Sequence, residues 1–233
     1  VLLSVTERYK FLKFSEHRLP LLGLQLQLLE DFRVRLVQPV RSEHQEPLES
    51  NFCPIIVTVH HLTEVLSNWA ETPFFLQLEF QKCETENKDM TGTVFDDVIS
   101  KFEYLLADMI STIISSVMFS IRSNSRPYRK EVKWFSLNVA SDSVHPAFCN
   151  ILQDVAFYLE TMVKIVPDNV FTRIWRELAT EVGKFICEDV ILVNSFNSGG
   201  AKQLQLDVTQ GLLPIFGECT SCPQAHFPVL MVS

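Results

Sequence analysis

Two cysteines and a histidine near the end of the chain are residue types found in metal and redox sites. Cys219 and Cys222 form a Cys-x-x-Cys pair, and His226 follows four residues later. A structural zinc site needs four ligands, and this segment supplies three. A thioredoxin-type pair opens a helix after a strand, whereas this pair follows a predicted helix and lies in a proline-containing loop. We therefore predict an ordinary loop, with no metal and no cofactor.

No other group of polar residues has the spacing of a catalytic site. His60 and Glu64 lie one helical turn apart, but a zincin places its glutamate between two histidines, so we predict a helix surface. No Ser-His-Asp pattern and no carboxylate pair stands out. Gly199 and Gly200 lack the preceding strand and the following Lys-Ser/Thr of a phosphate-binding loop. The sequence predicts that the chain is not an enzyme.

The two adjacent glycines are better interpreted as a tight turn between antiparallel helices. We predict that at least one of Gly199 and Gly200 has a positive φ and ends a helix over residues 168–198. Phe196 and Leu204 are then expected to pack near each other across the turn.

A basic cluster precedes two aromatic residues in the middle of the chain. It consists of Arg122, Arg126, Arg129, Lys130 and Lys133, with Trp134 and Phe135 directly after it. Such a cluster can bind an acidic partner helix or lipid headgroups. It can also be a solvated helix end, because basic residues there complement the helix dipole. We take these five residues as candidate partner-binding residues.

Composition limits the fold and the partners. The 233 residues are 47% hydrophobic, include 18 Phe and only 7 Gly, and carry a net charge of −8. Disorder is excluded by the apolar content, and general nucleic-acid binding is disfavoured by the negative charge. Scarce glycine favours helices joined by short connections. No apolar stretch reaches the ~18–20 residues of a membrane span without interruption, so none is predicted.

Apolar residues recur at steps of three and four along nearly the whole chain, which predicts an all-α fold. One stripe comprises Val94, Val98, Phe102, Leu105, Met109, Ile113, Val117 and Ile121. Another comprises Phe171, Ile174, Leu178, Val182, Phe185, Asp189, Val193 and Phe196. Pro20 and Asp168 are predicted to begin helices. The polar stretch 84–92 divides the chain into two helical bundles, 1–86 and 87–233, in an elongated antiparallel stack.

One segment is more specific than these patterns. Residues 194–207 read NSFNSGGAKQLQLD, which resembles the C-terminal signature of the RINT-one/TIP-twenty family. Residues 6–10, 30–36, and 69–70 with 74–78 also resemble the metazoan branch, and residues 94–97 resemble another stretch of the family, in the same order along the chain. The signature residues, expected to be mainly structural, are Asn194, Phe196, Asn197, Gly199, Gly200, Gln203, Gln205 and Asp207.

This resemblance implies a fold and a function that composition does not show. The implied fold is the helical-rod (CATCHR) fold of tethering subunits. The implied role is that of a non-enzymatic subunit of a tethering complex, peripheral on the cytoplasmic face of the endoplasmic reticulum, in Golgi-to-ER retrograde vesicle capture. The implied partners are tethering subunits of the ZW-ten/Dsl type and ER SNAREs of the Sec-twenty type, with membrane association indirect. The chain begins without Met, and we expect it to be a piece of a longer protein. The alternative is a peripheral lipid-binding module that uses the basic cluster.

Overall fold

A computed structural model of the chain describes residues 2–42, 52–86, 89, 92–137 and 142–231. Within these ranges every regular element is helical. The α-helices are α1 (Leu2–Tyr9), α2 (Ser15–Ser42), α3 (Phe52–Ala70), α4 (Pro73–Glu86), α5 (Asp96–Asn124), α6 (Pro146–Ile165), α7 (Asp168–Phe185), α8 (Ser198–Leu206), α9 (Leu213–Gly217) and α10 (Pro228–Met231). Three π-helical turns cover Pro127–Glu131, Ile186–Ile191 and Asp207–Leu212, and two 3₁₀ turns cover Trp134–Ser136 and Pro223–His226.

The chain forms two compact units, Val1–Met109 and Ile110–Ser233, whose boundary lies inside α5. The sequence places a boundary at residues 86–87 instead. Residues 87, 88, 90 and 91 of that polar stretch lie outside the described residues, and the division at 86–87 stays a prediction.

In the first unit, α1 and α2 are held together by a buried polar triad. The Tyr9 hydroxyl donates to Gln25 Oε1 at 2.5 Å, and Gln25 Nε2 donates to Thr6 Oγ1 at 3.0 Å. The prediction that Pro20 begins a helix is wrong, because α2 starts five residues earlier, at Ser15. Glu16 in the first turn complements the helix dipole there. Pro20 then occupies the second turn, where its missing N–H removes one hydrogen bond without ending the helix.

Helix α5 confirms its predicted stripe. All eight stripe residues, from Val94 to Ile121, are at most 6% exposed. Among the described helices, α5 alone has the length and the apolar composition of a membrane span, with a mean hydropathy of 1.6 over its most apolar window. Half of that stretch is buried inside the protein, and core helices of soluble proteins can have the same length and apolar composition. The buried stripe identifies α5 as a packed core helix.

In the second unit, α7 begins at Asp168 as predicted and buries its stripe from Ile174 to Phe185, whereas Phe171 is half-buried. The predicted continuation through Asp189 and Val193 is wrong. The π-helical turn Ile186–Ile191 adds a residue to the repeat, so Ile186 and Val190 become the buried positions and Val193 is 72% exposed. Asp189 is left on the half-buried flank.

Candidate functional site

The signature segment is organised around Asp207, whose carboxylate is completely buried. The Tyr128 hydroxyl donates to Asp207 Oδ2 at 2.7 Å. The His145 backbone N–H donates to Oδ1 at 2.7 Å, and Gln203 Nε2 donates to the same oxygen at 2.9 Å. Three donors therefore satisfy a charge that would be very costly to bury alone. The network joins the π-helical turn after α5, the segment before α6 and the end of α8.

The environment of Asp207 keeps the Tyr128 hydroxyl protonated. Burial raises the pKa of Tyr128 far above its ordinary value, and both the charge of Asp207 and the hydrogen bond to it raise that pKa further. Trp134 packs edge-on against the Tyr128 ring, with centroids 5.0 Å apart, and is 1% exposed. The rings of Tyr128 and Trp134 shield the Asp207 carboxylate from water. The hydrogen-bonded group is therefore suited to stabilising the fold and not to proton transfer.

Two signature asparagines tie α8 and the turn before it to the segment 127–137. Asn197 is the N-cap of α8: its Oδ1 accepts from the Gly200 N–H at 2.8 Å. Its Nδ2 donates to the Leu137 carbonyl at 2.9 Å. Asn194 Nδ2 donates to the Val190 carbonyl at 2.8 Å and to the Arg129 carbonyl at 3.4 Å. Both side chains satisfy backbone groups that no helix would otherwise pair.

The predicted glycine turn is wrong. Gly199 and Gly200 lie in the first turn of α8, and the helical run from Asp168 ends at Ile191, before the glycines. Gly200 has no positive φ; its role is a close approach, because a Cβ there would lie 2.2 Å from the Trp134 carbonyl oxygen. The new helix starts here because Asn197 caps it.

Phe196 and Leu204 line the same cavity of about 480 Å³, together with Lys202, Gln205 and Leu230. Phe196 also packs on Trp134, with ring centroids 5.0 Å apart. The Gln205 side chain is exposed. That the signature is mainly structural stays a prediction.

The basic cluster separates into two groups. Arg122 and Arg129 are engaged within the chain, since Arg122 Nε lies 3.3 Å and Arg129 Nη1 lies 3.9 Å from Asp189 Oδ2. Arg129 also donates to the Ser125 hydroxyl at 3.1 Å and to the Arg122 carbonyl at 2.8 Å. Its guanidinium lies 6.0 Å from the centre of the Phe185 ring. Arg129 thus fastens the end of α5 to the π-helical turn after α7.

The other three basic residues, Arg126, Lys130 and Lys133, are exposed and form no ion pair with any residue the structure describes. Phe135, which follows Lys133 closely, is 66% exposed. We call Arg126, Lys130 and Lys133 the basic trio. The structure leaves it available to a partner, and whether it binds one stays a prediction.

The cysteine pair lies in a loop, as predicted. Cys219 and Cys222 are free thiols, and His226 packs edge-on against Trp175 with ring centroids 4.7 Å apart. In the part of the chain that the structure describes, no three His, Cys, Asp or Glu side chains come together as a metal site. Burial, and then the charge of Glu218, raise the pKa of Cys219, which disfavours the reactive thiolate. His60 Nε2 lies 3.4 Å from Glu64 Oε1 on α3. Because His60 is only 8% exposed, the predicted helix surface holds for Glu64 and is wrong for His60.

The sequence model of the RINT-1/TIP-1 family matches residues 1–232. The chain belongs to this family. A RINT1-like protein of Drosophila melanogaster is 25% identical over 228 residues, which cover 96% of this chain and 30% of the relative. The RINT1-like protein MAG2 of Arabidopsis thaliana is 25% identical over 185 residues, which cover 73% of this chain and 22% of that protein. The chain thus spans less than a third of the length of either relative.

A solved structure supports the fold. The crystal structure of the SNARE Sec20 bound to the Dsl1 complex subunit Tip20 matches with a TM-score of 0.59. The match covers 98% of this chain and 44% of the matched chain, at 16% identity. It confirms the predicted helical-tether fold, which the RINT-1/TIP-1 membership also supports.

Sequence reasoning missed the partners of the RINT-1/TIP-1 signature. The signature segment is surrounded by Tyr128, Trp134 and His145. The hydrogen bonds between the signature and this earlier part of the chain join residues that are 60 to 79 positions apart in sequence. The signal in the sequence was Asp207 itself, a charged residue close to the core residues Val208 and Leu212. A carboxylate among core residues predicts that a hydrogen-bond donor is buried beside it.

Proposed function

We propose that this chain is a non-catalytic helical module of a tethering-complex subunit and that it engages an ER SNARE of the Sec20 type. The observation that carries the proposal is the family match over residues 1–232, joined to a fold shared with Tip20, the Dsl1 complex subunit seen with Sec20. The proposed setting is the cytoplasmic face of the endoplasmic reticulum, in capture of vesicles returning from the Golgi. Other subunits of the ZW-ten/Dsl type are proposed as further partners.

The proposal that the module has no catalytic role rests on how its polar groups are used. Around Asp207, the hydroxyl, amide and carboxylate groups pair with one another inside the protein. A catalytic group needs a polar atom directed at a cavity that holds substrate. The polar centre of the signature segment is directed inward, so binding through helix faces is the function we propose.

Within this function we propose that the basic trio, with Phe135 beside it, receives an acidic stretch of a partner helix. The chain is acidic overall, with a net charge of −8, so this basic surface is a local exception. Complementary charge accelerates association and selects the partner. Arg122 and Arg129 are not assigned to the partner here, because Asp189 already holds both. The alternative, lipid binding by the same cluster, stays a prediction.

Capture of this chain by the immobilised N-terminal region of a Sec20-type SNARE tests the proposal. We expect saturable binding that weakens with salt, and at least a tenfold loss on reversing Arg126, Lys130 and Lys133 to Glu. The matched control reverses Lys164, Arg173 and Lys184, which are exposed basic residues of α6 and α7, and is expected to bind as the unmodified chain does.

Each result has a distinct meaning. Absence of binding by the unmodified chain to Sec20-type SNAREs would contradict the proposed function. Undiminished binding by the trio variant would retain the function and refute the trio as the contact surface. Flotation of the same variants with vesicles tests the lipid alternative for the cluster.

A further inference from the structure

The loop between α1 and α2 directs two phenylalanines into solvent. Phe11 is 79% exposed and Phe14 is 67% exposed, while Leu12 between them is half-buried. We call residues 10–14, which read KFLKF, the aromatic tip. Single exposed apolar residues are common on protein surfaces, but two large rings in one short loop form a patch of the kind that marks an interaction site.

The aromatic tip has a fixed shape that does not depend on its phenylalanines. The Leu12 N–H donates to the Tyr9 carbonyl at 3.1 Å. Arg18 Nε donates to the Leu12 carbonyl at 2.6 Å, and its guanidinium lies 5.6 Å from the centre of the Phe74 ring. The His17 N–H donates to the Phe14 carbonyl at 3.2 Å. The backbone of the tip is therefore anchored by Arg18 and by helix-end hydrogen bonds. The exposed Phe14 ring also lies edge-on to the His17 ring, with centroids 6.3 Å apart.

Positive charge surrounds these rings. Arg8, Lys10 and Lys13 are exposed and pair with no carboxylate among the residues that the structure describes. Residues 8–18 hold four basic side chains and one acidic side chain, in a chain whose net charge is −8. The basic side chains alternate with the aromatic ones, so a surface that meets the rings also meets the ammonium groups.

We propose that the aromatic tip binds an anionic phospholipid bilayer, with Phe11 and Phe14 entering the interface and Lys10 and Lys13 contacting lipid phosphates. Exposed aromatic rings beside Lys and Arg are the combination that stabilises peripheral proteins at the headgroup–acyl boundary. A loop that projects rings outward offers no groove to a partner helix, whereas a bilayer needs none. This inference goes beyond SNARE binding, does not depend on it, and concerns a different unit from the basic trio.

Vesicle flotation tests the proposal with the chain described here. Vesicles of phosphatidylcholine with about 30% phosphatidylserine are compared with pure phosphatidylcholine. We expect binding to the anionic vesicles, and at least a tenfold weaker partition for the double variant Phe11→Ser, Phe14→Ser. Each of Lys10→Gln and Lys13→Gln is expected to weaken partition about fivefold, because one basic residue near an anionic surface contributes about a factor of five.

A matched control distinguishes binding through the aromatic tip from nonspecific binding through any exposed phenylalanine. Phe119 and Phe157 are 76% and 62% exposed on α5 and α6, outside the tip. The double variant Phe119→Ser, Phe157→Ser is expected to bind anionic vesicles as the unmodified chain does. Thermal melts check that all variants are folded, and the exposed positions predict unchanged melting temperatures.

A reporter locates the contact directly. A Phe11→Trp variant is expected to gain blue-shifted fluorescence with anionic vesicles, beyond any change shown by the three native tryptophans of the unmodified chain. The proposal is overturned if the unmodified chain does not bind anionic vesicles, or if it binds neutral vesicles equally well. It is also overturned if the tip variant binds as well as the control variant, or if the Phe11→Trp variant shows no fluorescence response beyond that of the unmodified chain.

Discussion

Gly200 and the carbonyl group of Trp134 approach each other so closely that no other residue type fits at position 200. A Cβ there would lie 2.2 Å from the Trp134 oxygen and 3.0 Å from its carbon, both backbone atoms that cannot rotate away. The signature glycine is therefore required by the crossing of α8 over the 3₁₀ turn Trp134–Ser136, and not by a special φ angle. The effect of this contact on stability can be measured by comparison with a glycine whose Cβ position is unobstructed.

Replacing Gly200 by Ala is expected to lower the free energy of unfolding by about 1–3 kcal/mol, the usual cost of overpacking. Gly23 is the matched control, because nothing lies within 4 Å of its Cβ position and it occupies the interior of α2. Gly23→Ala is expected to stabilise by about 0.5–1 kcal/mol through helix propensity. Urea unfolding measures both. Equal effects of the two substitutions would refute the close approach at Gly200.

Removing the Tyr128 hydroxyl is expected to destabilise the second unit. In Tyr128→Phe, Asp207 Oδ2 loses its 2.7 Å donor while remaining buried, which costs about 1–3 kcal/mol. Tyr104→Phe is the control, since Tyr104 is 78% exposed and its substitution is expected to change stability by less than about 0.5 kcal/mol. Denaturant unfolding of both variants measures the effect. An unchanged free energy of unfolding for Tyr128→Phe would contradict the hydrogen-bond network around Asp207.

Stability is expected to fall above about pH 10, the ordinary pKa of tyrosine. Burial raises the pKa of Tyr9 to about 12, and burial together with Asp207 raises that of Tyr128. Because the raised pKa values belong to the folded state, the unfolded chain releases protons first. The stabilisation is complete below about pH 10 and declines as the pH rises beyond it.

Tyrosinate absorbance, recorded beside circular dichroism, measures this dependence. Tyr128 is expected to titrate only as helicity is lost, because its pKa is raised in the folded chain. A variant carrying Tyr9→Phe and Tyr128→Phe is expected to show a flatter alkaline decline. Titration of Tyr9 and Tyr128 before unfolding would contradict the assignment.

Arg129 and Lys130 are neighbours in sequence with different roles. Arg129→Ala removes hydrogen bonds to Ser125 and to the Arg122 carbonyl and the contact with Asp189, and is expected to cost about 1–2 kcal/mol. Lys130→Ala is expected to change stability by less than about 0.5 kcal/mol. Thermal melts compare them. A charge reversal that included Arg129 would confuse folding with binding, so the trio variant leaves Arg129 unchanged.

Thiol reactivity is expected to differ between the two cysteines of the Cys-x-x-Cys pair. Cys222 is exposed, whereas Cys219 is half-buried and its pKa is raised by burial and by Glu218. Alkylation at neutral pH followed by mass spectrometry is expected to modify Cys222 first. A chelator is expected to leave both alkylation rates and the melting temperature unchanged. Protection of both thiols that a chelator abolishes would indicate a metal site instead.

Local apolar spacing predicted the core of α5, because a regular helix returns the same face every three or four residues. It did not predict the π-helical turn at Ile186–Ile191, where one extra residue moved burial from Asp189 to Val190. Nor did it predict that Gly200 touches Trp134, since no local pattern records a contact between residues so far apart in sequence. The resemblance singled out residues 194–207, and the structure gives a physical reason for Asn197, Gly200 and Asp207 within them.

The hydrogen bonds of Asp207 also have a consequence for synthesis on the ribosome. Tyr128 precedes Asp207 by 79 residues and His145 precedes it by 62. At a translation rate of about 5–20 residues per second, the polypeptide around Tyr128 therefore exists for roughly 4–16 seconds before its carboxylate partner is made. During that interval the Tyr128 hydroxyl has no carboxylate partner, and for most of it Phe196, which packs on Trp134, has not been made either. A nascent chain halted before Asp207 is thus expected to depend on a chaperone that shields these aromatic side chains.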